Sequence, residues 1–159
     1  MNDQLPSVME IRVLLEDLTG RAVDVSPHDS PGWSGKPPVT AVLVCNDMKV
    51  GVVVAFELPL AASLGAVLGL IPVGGAEACV EDGELSKMIE DNLFEVCNVL
   101  TAVFNKGGGR HVRLHALHSK PSEVPSDITA QLNALGSRLD LTVQVNGYLP
   151  GKFSIVVPV

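Results

Sequence analysis

Apolar residues recur at helical spacing in two long stretches of this chain and at strand spacing in most of what lies between. Over residues 8–18, Val8, Ile11, Leu14, Leu15 and Leu18 share one face, and Gly20 stands where a left-handed C-terminal cap is needed. The period returns over residues 81–104, with Leu85, Ile89, Leu93, Val96, Leu100 and Val103 in a stripe wide enough to pack on a sheet. A short strand is predicted at 22–25, followed by a Pro-, Gly- and Ser-rich exposed loop at 27–38 that cannot join a central ladder. The runs 40–45 and 50–56 are apolar and β-branched on either side of Asn46-Asp47-Met48-Lys49, and so predict a hairpin. Strands so apolar are either covered on both faces or engaged at an interface.

Residues 60–70 read as a helix in which Ala61, Ala62, Gly65, Ala66 and Gly69 let another backbone approach closely, and 73–79 as a linker or short strand. Residues 110–118 alternate as a strand. Ser126 is the expected cap of a short helix with Ile128, Leu132 and Leu135 on one side and Gly136 after it. The runs 139–145 and 152–157 flank Asn146-Gly147 in a closing hairpin.

Helix, strand, hairpin is thus spelled out twice. Glu10-Ile11-Arg12-Val13-Leu14-Leu15 can be laid on Glu95-Val96-Cys97-Asn98-Val99-Leu100, and residues 42–56 resemble 143–157 in their strand, Asn-containing turn and strand. The expectation is one domain over 1–159 with a mixed α/β (α+β) fold. Its pseudo-twofold halves, 5–57 and 82–159, are joined by a connecting helix at 58–72, and two long helices pack on a mainly antiparallel sheet. Under this alignment Val13 takes the place of Asn98.

Composition narrows the function classes. With 47% hydrophobic and 18% charged residues and a mean hydropathy of +0.33, the 159 residues can bury a core without staples. A net charge of −7, with the 11 basic residues scattered, excludes a nucleic-acid footprint and favours a protein partner. Cys45, Cys79 and Cys97 are odd in number and lie in apolar segments, which predicts buried reduced thiols and a cytoplasmic location. The most apolar run, 58–73, is broken by Pro59 and Pro72 and too short to span a bilayer, and Met1-Asn2-Asp3 offers no basic leader region, so no membrane association is expected.

The chemistry lies on the polar side of the second long helix, where Asp91, Glu95 and Asn98 share a face. Such a face is ordinarily just solvated, but a carboxylate and a carboxamide on a rigid element can also engage an incoming molecule. Other constellations are weaker. His111 and His115 lie about 13 Å apart on a strand and His118 points to its other face, so no metal site is expected. The run 107–109 lacks the Lys-Ser/Thr of a phosphate loop and reads as a helix terminator. Cys97 is turned to the core and reads as packing rather than as a nucleophile. Trp33 either anchors a partner or folds back with its loop to cover a sheet edge.

With Pro121 included, the chain reads Asp-x3-Glu-x2-Asn-x22-Pro from Asp91 to Pro121. This pattern and the duplicated layout resemble the CheC, CheX and FliY family of chemotaxis phosphatases. A single intact site, with Val13 in the first half, is similar to the CheX branch. The resemblance implies hydrolysis of the aspartyl phosphate of a CheY-like response regulator, with Asn98 and Glu95 as catalytic residues entering the regulator's pocket. It implies that Asp91 and Pro121 support docking, that Mg²⁺ comes from the regulator with no cofactor held by this chain, and that the protein is a homodimer. Ala102 stands where many relatives have glycine, and Phe94 flanks the face as a docking anchor or a contact with a dimer mate. A non-catalytic interaction module and a flagellar switch-like component are the alternatives.

Overall fold

The computed structural model describes residues 5–35, 37–106 and 110–158, so the glycine run at 107–109 lies outside the described residues. The fold is α+β, with α1 (Val8–Thr19), β1 (Val23–Pro27), β2 (Val39–Cys45), β3 (Val50–Phe56), α2 (Leu58–Leu68), α3 (Val73–Asp82), α4 (Lys87–Phe104), β4 (Val112–His118), α5 (Ser126–Asn133), β5 (Arg138–Val145) and β6 (Gly151–Val156). The strands form one antiparallel sheet in the order β1-β5-β6-β3-β2-β4. Among the described residues no helix is long and apolar enough to cross a membrane.

The sheet order carries the pseudo-symmetry. Exchanging β1, β2 and β3 for β4, β5 and β6 returns the same order read from the other edge, with β3 and β6 meeting at the centre. Each half gives its first strand to the other's hairpin: β1 pairs with β5, and β4 with β2. The helices agree. Ile11 and Leu15 of α1 are buried like Val96 and Leu100 of α4, and Thr19 and Phe104, the last residues of the two helices, are equivalent under the same alignment.

Side chains alternate between two cores along β2 and β3, which are buried almost throughout. Ala41, Leu43, Val52, Val54 and Phe56 join the core beneath α1, α2 and α4, whereas Val42, Val44, Val53 and Ala55 meet Ile128 and Leu132 of α5 on the far face. The apolar hairpin is therefore covered on both sides within one chain, and its composition requires no partner.

Several sequence boundaries move. Pro27 closes β1 instead of opening the loop, tolerated because β1 is an edge strand. Residues 73–79 are helical, not a linker: α3 begins after Pro72, and Ala76 and Cys79 are buried, so packing overrides the poor propensity of Gly74-Gly75. Glu81 and Asp82 belong to α3, which Gly83 ends at φ 77°, and α4 starts afresh at Lys87 with the Ser86 hydroxyl accepting from the Ile89 N–H at 3.4 Å. The connection between the halves is accordingly two helices, not one. Leu70, past the end of α2 at φ 58°, is exposed. Pro125, not Ser126, precedes α5, and Leu135 lies beyond the helix with 83% of its surface exposed.

On the far face a polar network holds the loop after β1 against the sheet. Arg138 donates to both oxygens of Asp140 at 2.8 and 3.0 Å, Ser154 Oγ donates to Asp140 at 2.5 Å, and Trp33 Nε1 donates to Ser154 Oγ at 3.1 Å. Burial pushes the Asp140 carboxyl up, but the hydrogen bonds from Arg138 and Ser154 outweigh it and leave the group below its ordinary value. Lys152 Nζ donates to the carbonyls of Ser30, at 2.6 Å, and Gly32, and lies 4.6 Å from the centre of the Trp33 ring. Trp33 thus folds back with its loop, but over the face of the central strand β6 and the second core rather than over a sheet edge.

Two outcomes are expected. Gly65→Ala, which drives a methyl group into the Ile89 carbonyl of α4, lowers stability by about 1–3 kcal/mol in urea unfolding. Lys152→Met loosens the loop, so acrylamide quenches the fluorescence of Trp33, the sole tryptophan, more strongly than in the parent protein.

Candidate functional site

The position of α4 is fixed at both ends and along its middle. At its start Glu90 accepts a hydrogen bond from the buried Ser119 hydroxyl, which follows β4. Midway, Asn92 Nδ2 donates to the Gly65 carbonyl of α2 at 2.9 Å, where the absence of a side chain at Gly65 lets the two helices close. At the end, the Asn105 side chain exchanges two hydrogen bonds of 2.9 Å with the backbone of Val112 in β4. Ile89, Leu93, Val96, Cys97, Leu100, Val103 and Phe104 are buried beneath.

This anchoring turns Asp91, Glu95, Asn98 and Ala102 outward on one exposed face. Helix geometry separates the Cβ atoms of Glu95 and Asn98 by about 5–6 Å. Among the described residues neither the Glu95 carboxylate nor the Asn98 carboxamide makes a hydrogen bond or ion pair; only the Asn98 backbone carbonyl is engaged, by Thr101 Oγ1 at 2.7 Å. Asp91 differs: it pairs with Lys87 at 3.0 Å, a bond that raises the Lys87 pKa. Phe94 sits on the flank, 40% exposed.

Pro121 is not part of that cluster. It opens a single 3₁₀ turn (Pro121–Glu123), and its segment is tied to α4 through Ser119 and Glu90, at the first turn of the helix. Ser119 is the positioning residue that sequence spacing did not single out; its place in the short polar link Ser119-Lys120 between a strand and the motif proline was its only signal.

The equivalent positions on α1 are built differently. Glu10, the counterpart of Glu95, is held in a capping box with Ser7 and pairs with Lys106 at 3.3 Å; the Ser7 backbone N–H, helped by Lys106, keeps its carboxyl below the usual value. Val13 faces solvent where Asn98 stands on α4. Between the helices runs an apolar groove of about 530 Å³, lined by Met9, Val13, Leu14 and Leu18 from α1 and by Val99, Ala102 and Val103 from α4. The sequence reading treated Val13 only as a missing amide and so overlooked its part in this wall.

No protein-family profile matches the sequence, and no curated protein is similar to it in sequence. Solved structures do match. A chain of the FliM–SpeE complex from H. pylori superposes with a TM-score of 0.66 at 11% identity, covering 95% of this chain and 81% of that one. FliY from Thermotoga maritima gives 0.61 at 13% identity over 98% and 85%. A chain of the CheX–CheY–BeF3–Mg²⁺ complex from Borrelia burgdorferi gives 0.52 at 12% identity over 96% and 99%. The chain has the CheC/CheX/FliY fold. In that fold the Glu95–Asn98 face lies on the second of the two related long helices and the capped Glu10 on the first.

Cys97, beneath this face, is 1% exposed, and burial pushes its thiol far above the ordinary range. All three cysteines are free and buried. The native protein is therefore expected to leave a disulfide reagent such as 5,5′-dithiobis(2-nitrobenzoate) unconsumed at mildly alkaline pH, and all three thiols should react once the chain is unfolded in denaturant.

Proposed function

We propose that this protein accelerates hydrolysis of the aspartyl phosphate on a CheY-like response regulator. The observation that carries the reading is the pair Glu95 and Asn98, exposed on a firmly held helix and without internal partners among the described residues. It stands at Asp-x3-Glu-x2-Asn-x22-Pro spacing in a CheC/CheX/FliY fold. Asp91, one turn before Glu95 on the same face, and Glu10, the counterpart of Glu95 on α1, are both paired, whereas among the described residues Glu95 is not.

In-line attack of water on a phosphoryl group needs positioning and charge stabilisation rather than a covalent nucleophile. A carboxamide suits that task because its carbonyl oxygen accepts a hydrogen bond from the incoming water while its NH₂ group donates to a neighbouring oxygen. Glu95, one turn away, pairs with a cation beside the phosphate and fixes the docking register. The regulator supplies its own Mg²⁺, and this chain contributes no cofactor. The reading includes a homodimer, as the resemblance implies.

A second reading is favoured by one observation. A chain of the FliM–SpeE complex superposes with a higher TM-score than a chain of the CheX–CheY complex, 0.66 against 0.52, which suits a binding component without turnover. Mixing the protein with candidate receiver domains phosphorylated by acetyl phosphate separates the two. Faster phosphate loss, returned to the regulator's own rate by Asn98→Ala with the fold intact, supports the phosphatase; acceleration that survives Asn98→Ala rejects the mechanism. Glu95→Lys is expected to raise the half-saturating regulator concentration by about tenfold or more. Binding without acceleration by the parent protein supports the second reading.

A further inference from the structure

The groove between α1 and α4 adjoins the Glu95–Asn98 face and has no occupant within the chain. Val99 follows Asn98 directly, and Ala102 lies one helical turn beyond it. The walls are apolar and unusually open for their size: Met9 is 60% exposed, Val13 45% and Val99 41%. Charge gives the groove a direction. Glu10, in the first turn of α1, closes on Lys106, just past the end of α4, so the helices run antiparallel and that end of the groove is electrically satisfied. Asp17, in the last turn of α1, lines the groove towards the Glu95 side. Among the described residues neither Asp17 nor Glu95 pairs with a cation.

We infer that this groove seats an apolar segment of the same response regulator, whose basic end meets Asp17 in the groove wall and Glu95 on the adjoining face of α4. The inference rests on the functional reading above and assigns the groove to affinity, leaving the chemistry to Asn98. An unpaired carboxylate in the groove wall, Asp17, and another on the adjoining helix face, Glu95, match a partner that presents a lysine or arginine beside aliphatic side chains. The groove wall explains why α1 keeps Val13 exposed after its half has no site of its own.

The test uses a purified CheY-like receiver domain in two forms: loaded with BeF3⁻ and Mg²⁺ for binding titrations, and phosphorylated by acetyl phosphate for turnover. Val13→Arg and Val99→Arg, one on each wall, should raise the dissociation constant and the half-saturating concentration at least tenfold while the maximal acceleration stays unchanged. Asp17→Asn, an exposed near-isosteric change that leaves the fold intact, should weaken binding and flatten its salt dependence. Leu70→Arg, on an exposed apolar residue outside the groove, should change none of these. Folded wall variants that bind the receiver like the parent overturn the inference and leave the phosphatase reading standing. Wall variants that turn a dimer into a monomer with unchanged receiver affinity assign the groove to a second copy, and also overturn it. Receiver binding that the wall variants weaken, with no acceleration by the parent protein, supports the groove and rejects the phosphatase. A parent protein that binds no receiver overturns both.

Discussion

The close approach of α2 and α4 is the constraint on which the presentation of the site depends. Gly65 leaves no room for a methyl group against the Ile89 carbonyl, and Gly69 leaves none against the Asn92 amide. In return, Asn92 donates to the Gly65 carbonyl, a helix-to-helix bond in a region where α2 is otherwise buried on all sides from Leu60 to Val67. A helix seated this tightly has one rotational setting. That setting places Leu93, Val96 and Leu100 inward and therefore Glu95 and Asn98 outward; the apolar stripe and the polar pair are two results of one contact.

Much of this was legible in the residues because both periods are strong. The two long helices, the two hairpins and the small-residue face of α2 follow from spacing and composition, and the outward direction of Asp91, Glu95 and Asn98 follows from the stripe opposite them. What was misread turns on tertiary packing. Gly74-Gly75 argues against a helix locally, yet α3 forms because Ala76 and Cys79 have a core to enter and Gly83 can close the turn at positive φ. Leu85 continued the helical period by chance across a break that Gly83 and Ser86 impose, which made one helix of two. The groove was hidden for a different reason: a concavity between helices distant in sequence has no one-dimensional signature.

The two halves show how one layout can be put to different uses. Glu10 and Glu95 occupy equivalent places, but Ser7 and Lys106 consume the hydrogen-bonding capacity of the first, while the second is left unpaired among the described residues. The same side chain thus stabilises a helix start in one half and remains available in the other. Helix capping and partner engagement compete for a carboxylate, and here the competition is resolved by whether the residue falls in the first turn or mid-helix.

The interleaved sheet has a further consequence for how the chain reaches its native state. β6, synthesised after every other strand of the sheet, fills its middle, and β1, synthesised before them, pairs only with β5. Neither half can complete the sheet alone, so the earlier half must wait with the apolar edge of β3 unpaired until β6 has been made. Such non-local pairing makes for slow assembly, and the early strands are the part of this protein with the greatest call on chaperone protection.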